Sequence, residues 1–65
     1  MDKLKEIVFE TCLTERDELV WMMQHSDESA EKIEAQRARF KTAYGIIELA
    51  ALEFEYADWL EEKMK

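Results

Sequence analysis

The chain has no proline, one glycine, one cysteine and one histidine in its 65 residues. It therefore lacks the residues that punctuate sheet-rich domains and long loops. A single cysteine excludes an intramolecular disulfide, and no cysteine–histidine grouping suggests structural zinc. No apolar run approaches the ~18 residues of a membrane helix. The first ten residues, MDKLKEIVFE, are charged throughout and lack the continuous apolar segment of a signal peptide. The expectation is a cytoplasmic protein with no membrane partner. Basic residues are the minority: nine Lys and Arg stand against sixteen Asp and Glu, a formal charge of −7. That balance argues against direct nucleic-acid binding, which depends on cations neutralising phosphates. It leaves proteins with basic surfaces as partners.

What is present is helical. With 48% hydrophobic and 38% charged residues, the chain has the balance of an amphipathic helical protein. Residues 1–65 make one domain. A lone chain of this size buries a thin core, so oligomerisation is the stabiliser left once disulfides and metal are set aside. The pattern predicts two helices. The first spans about 2–25, continuous through Thr14 because no Gly or Pro stands there. A turn at about 26–28 follows, where Ser26 and Asp27 are good N-cap residues. The second helix spans about 28–63. A short turn makes the two antiparallel, with Glu10, Asp17 and Glu18 expected to face Arg37, Arg39 and Lys41. Lys3 and Lys5 are expected to face Glu48 and Glu53.

Helix two carries two apolar faces. One is Ile33, Gln36, Phe40, Ala43, Ile47, Ala50, Phe54 and Ala57. The other is a stripe with steps of three and four: Ala35, Ala38, Thr42, Gly45, Leu49, Leu52, Tyr56 and Trp59. Its first half is small and its second half large. Against an antiparallel copy the halves match, Ala35 to Trp59, Ala38 to Tyr56, Thr42 to Leu52 and Gly45 to Leu49, about an axis near Ile47. That is the self-complementarity a C2 homodimer requires. The flanking charges then place Arg39 near Glu53 of the other copy and Lys41 near Glu55. The predicted architecture is all-α: a two-helix antiparallel hairpin forming a homodimeric four-helix bundle. A close crossing at the axis accounts for Gly45, which costs about 1 kcal/mol in mid-helix relative to Ala.

Few residues carry chemistry. Cys12 lies among Val8, Phe9 and Leu13 and reads as a small buried hydrophobe. His25 stands at the C-terminus of helix one, where it suits a capping role. Met22 and Met23 read as fillers of core gaps. Trp21 falls among Lys3, Glu6, Glu10, Asp17 and Gln24 on the polar side of its helix. It is a candidate partner-binding anchor, with packing on the turn as the alternative.

The sharpest chemical pattern is acidic. Glu28 or Glu31 with its mate one turn on, Glu31 or Glu34, followed by Glu55 and Asp58, has the form ExxE…ExxD. It resembles the motif with which MazG-type all-α nucleoside triphosphate pyrophosphohydrolases hold Mg²⁺ against a triphosphate. The resemblance covers four acidic positions. It implies a metal site at Glu31, Glu34, Asp58 and Glu62 that converges only across the dimer. In length and turn position the hairpin plan also resembles the Rop type of helical bundle, although the acidic surface does not suit RNA binding of that kind. The leading expectation is a noncatalytic, cofactor-free module that binds another protein as regulator or inhibitor, of the sort found by analogy among phage and mobile-element proteins. The alternatives are a Mg²⁺-dependent nucleotide hydrolase and a nucleic-acid mimic whose carboxylates imitate phosphates.

Overall fold

A run of strong helix formers unbroken by Gly or Pro forms α1, Lys3–Gln24, continuous through Thr14. The computed structural model describes residues 3–25 and 28–65. The expected helix start at position 2 and turn positions 26 and 27 lie outside the described residues. Phe9, Cys12 and Met22 are the buried positions of α1. His25 follows it, and its Nδ1–H donates to the Trp21 carbonyl at 2.6 Å. That bond satisfies one of the acceptors a helix end leaves open.

The next helix begins later than the sequence suggests. Ser29 is its N-cap, with extended backbone, and its hydroxyl accepts from the Lys32 amide at 3.2 Å. Helix α2 runs Ala30–Leu49 and buries Gln36, Ala43 and Ile47. It lies antiparallel to α1. The Gln36 side chain donates to the Glu15 carbonyl at 2.9 Å and so fixes the register of the pair.

The single helix expected over 28–63 does not form. The chain turns at Ala50–Leu52 and a third helix, α3, runs Glu53–Lys63. The turn is a Schellman motif: the Leu52 amide donates to the Ile47 carbonyl at 2.9 Å and the Ala51 amide to the Glu48 carbonyl at 3.0 Å. Ala51 takes the left-handed position, with φ 56°, which glycine ordinarily fills. Left-handed backbone costs an L-residue about 1–2 kcal/mol. Burying Tyr56 and Trp59 outweighs it: at about 150–250 Å² each and about 25 cal/mol per Å², the upper bound is roughly 8–12 kcal/mol.

The turn sends α3 back along the first half of α1. Lys5 pairs with Glu55 at 2.7 Å, and Lys63 with Glu10 at 3.1 Å. Between these pairs the core assembles from Phe9, Cys12, Ala43, Ile47, Tyr56 and Trp59, with Leu52 and Leu60 packed against it. The rings of Tyr56 and Trp59 stand 5.2 and 5.6 Å from that of Phe9. The fold is all-α, three helices up, down and up, with no strand among the described residues. Being only 11 residues long, α3 covers one end of the α1–α2 hairpin and leaves the other end two helices thick.

Several expectations about packing change with the turn. Phe54, placed by spacing on a buried face, is 86% exposed. Arg37 pairs with Glu34 on its own helix rather than with α1, and Glu10 and Lys5 take partners from α3. Gly45 lies at no close crossing within the chain, since a Cβ there meets nothing within 4 Å.

Candidate functional site

Breaking helix two divides the apolar stripe. Its large half no longer continues its small half. Tyr56 and Trp59 are buried in their own chain against Phe9, and Leu52 joins the same core. Glu55 is held by Lys5, and Glu53 opens α3 with one carboxylate oxygen buried without a partner. The register that paired Ala35 with Trp59, Arg39 with Glu53 and Lys41 with Glu55 needs a straight helix through all of them, so it is withdrawn. The small half remains on α2, with Ala35, Ala38 and Thr42 exposed and Gly45 partly so; Leu49, the first residue of the large half, is exposed there too, as are Arg39 and Lys41.

That small half borders the first candidate surface. On the side of the hairpin away from α3, a groove runs between α1 and α2. Ile7, Val8, Thr11, Ala43 and Ile46 line its apolar end. Glu15, Ala38, Arg39 and Thr42 continue it. Glu18, Met22, Lys32, Ala35 and Gln36 complete the far end. Helical spacing produces this order. On α1, positions 4, 7, 11, 15 and 18 share a face; on α2, positions 32, 35, 39, 42, 46 and 49 do. Ile7 and Ile46 are each about half exposed, and Leu4 and Leu49 are more so. Acids thus line the α1 side of the polar end and bases the α2 side. Glu18, Lys32 and Arg39 enter no ion pair among the described residues.

The second candidate surface is on the outer face of α1. Trp21 is 49% exposed and, with Thr14, Asp17 and Glu18, lines a shallow hollow. The His25 ring stacks on the indole at 3.9 Å between centroids. Stacking holds the indole in place while leaving half of it in water beside two carboxylates. Such a ring attracts a cation through its quadrupole. The molecule already contains one example: the Lys63 ammonium lies 5.2 Å from the Trp59 ring centroid.

The acidic positions separate. Glu31 and Glu34 lie at the start of α2, beside the second half of α1, whereas Asp58 and Glu62 lie on α3, beside its first half. Glu55, Asp58 and Glu62 flank Trp59 in one open hollow. Among the described residues no group of three or more His, Cys, Asp or Glu is placed to hold a metal ion. Glu34 and Glu62 are engaged by Arg37 and Lys65.

Sequence reasoning did not find the Cys12–Tyr56 contact. Burial pushes the Cys12 thiol above its ordinary value, and burial, then the adjacent thiol, push up the Tyr56 phenol. The Tyr56 oxygen has no nitrogen or oxygen partner. Both groups stay protonated and unreactive at neutral pH, so this pair belongs to the core rather than to a site. No helix is long and apolar enough to cross a membrane among the described residues. Comparison with protein families, curated proteins and solved structures finds no match.

Proposed function

We propose that this chain is a small acidic protein-interaction module without catalytic activity, a regulator or inhibitor that binds a basic surface on another protein and works as a homodimer. The observation that carries the reading is Trp21, half exposed beside Asp17 and Glu18. A large aromatic side chain stacked on His25 beside two carboxylates has the character of a binding anchor. It suits a lysine or arginine side chain on an exposed helix or loop, seated on the indole with its charge against the acids. The net charge of −7 adds long-range attraction towards such a surface. Dimerisation is supported by the open apolar groove on the other side of the hairpin.

The test uses a helical peptide rich in lysine and arginine as the probe. Its addition should shift the Trp21 indole N–H resonance and leave that of buried Trp59 in place. Asp17→Asn should reduce the shift while the circular dichroism stays helical. Unchanged Trp21 resonances at saturating peptide would remove the reading. The enzyme alternative makes a separate demand. It requires metal-dependent release of pyrophosphate from nucleoside triphosphates, lost when Glu31, Glu34 and Glu62 become Gln and Asp58 becomes Asn. Reproducible activity of that kind would replace the proposal. Salt-reversible capture of a DNA-binding protein would instead favour the nucleic-acid mimic.

A further inference from the structure

The surface of the chain is larger than its mass warrants. It exposes 4946 Å², whereas a compact monomer of 7.8 kDa is expected to expose about 4,400 Å². The radius of gyration, 12.8 Å, likewise exceeds the ~11 Å of a compact chain of this length. The surplus, on the order of 500 Å², approaches the ~600 Å² that each partner contributes to the smallest specific interfaces. Part of the open apolar surface lies at the groove between α1 and α2, where Ile7 and Ile46 line it and Leu4 and Leu49 extend the same helix faces; Val20, Trp21, Met23, Phe54 and Met64 are exposed elsewhere.

The charges in that groove identify its occupant. Along the groove an apolar end passes into a charged end, and at the charged end the α1 side is acidic and the α2 side basic. Consider a second copy laid face to face, related by a two-fold axis parallel to the helices. The rotation keeps the height along the groove and exchanges its two sides. Ile7 of one chain then meets Ile46 of the other, while Glu15 and Glu18 meet Arg39 and Lys32. A two-fold axis across the helices would set Glu15 and Glu18 against the apolar end and leave their charges unpaired in an interface, at high cost. The groove is thus complementary to itself in one orientation.

We infer that the groove is closed by the same groove of a second copy, about a two-fold axis parallel to α1 and α2, with each α1 packed antiparallel on the other chain's α2. This specifies the homodimer of the proposed function and rests on it. The four helices form the shared layer, and each α3 stays on the outside, clear of the contact. Trp21 and Asp17 stay outside, available to the basic partner, while Glu18 borders both the Trp21 hollow and the contact.

Complementary variants test the arrangement. One carries Glu15→Lys and Glu18→Lys; the other carries Lys32→Glu and Arg39→Glu. Each alone puts like charges across the axis, so each should dimerise at least about tenfold more weakly than the natural chain. Their equimolar mixture restores opposite charges at both contacts and should form heterodimers in sedimentation equilibrium. Isotope-filtered NOEs between labelled and unlabelled natural chains give a second readout that needs no variant, with contacts expected between Ile7 and Ile46. A natural chain that is monomeric at micromolar concentration would overturn the homodimer reading itself. A stable natural dimer whose variants also dimerise alone, or whose mixture shows no recovery, or which lacks the Ile7–Ile46 NOE, would overturn this arrangement and leave the homodimer standing.

Discussion

Replacing Ala51 with glycine gives opposite signs for a bent and a straight second helix. In the bent chain Ala51 has φ 56°. Relief of left-handed strain is worth about 1–2 kcal/mol, and the greater backbone freedom of unfolded glycine takes back about 0.5–1 kcal/mol. The net expectation is a gain of roughly 1 kcal/mol, which for a domain of this size raises Tm by about 4–8 °C. In a straight helix over 28–63 the same change would put glycine in a helix interior and lose about 1 kcal/mol, lowering Tm by a similar amount. Thermal unfolding followed at 222 nm separates the two. Ala50→Gly is the control: φ there is −87°, so glycine relieves no strain and should not stabilise. Ala51→Val should lower Tm, since a β-branched residue suits a positive φ poorly. A fall in Tm for Ala51→Gly would refute the Schellman turn, and with it the placement of Tyr56 and Trp59 on Phe9.

Three further outcomes concern stability. Gly45→Ala should stabilise by about 1 kcal/mol, because the new methyl meets nothing within 4 Å and a mid-helix glycine is costly; a loss in chemical denaturation would mean that another chain closes on that position. Stability should be unaffected by ionisation of Cys12 and Tyr56 below pH 9. It should decline as pH rises past their ordinary values of 9.0 and 10.0, because the unfolded chain ionises there while burial keeps the folded groups protonated. Tyr56→Phe should flatten the part of this decline above pH 10.0. At pH 7 it should stabilise by up to about 1 kcal/mol, since the lost hydroxyl is buried with no nitrogen or oxygen partner. Urea midpoints measured from pH 7 through the alkaline range check these statements.

The all-helical class, α1 and the antiparallel α2 were legible because they rest on composition and period, which local sequence carries directly. The turn at Ala50–Leu52 was not. Nothing in Ala50-Ala51-Leu52 marks a stop: alanine is the strongest helix former, and neither glycine nor an N-cap residue stands there. The decision is tertiary, made by the burial that Tyr56 and Trp59 gain on Phe9. One local trace existed, the acids Glu53 and Glu55 that occupy the first turn of α3, where a helix dipole favours them. The stripe through Trp59 was misleading for the same reason. A spacing of three and four assigns residues to one face only while the helix continues. Trp21 was legible as a polar-side aromatic from its spacing. Its stacking on His25 was not, because it depends on how α1 ends.

The shortness of α3 has a dynamic consequence. Six side chains of the buried cluster gather at the end that α3 covers, while beyond them, among the described residues, only Met22 and Gln36 are buried. Opening free energy should therefore fall along the length of the hairpin, from near the global value at Phe9 and Ile47 to small values around Trp21 and Ile33. Amide hydrogen exchange would show this as a gradient within single helices, α1 slow in its first half and fast in its second. The anchor residue thus stands on the part of the molecule that is easiest to reshape. A partner seated there would be felt first as slowed exchange in the last turns of α1, so docking would tighten the thinly packed half of that helix and leave its well-packed half unchanged.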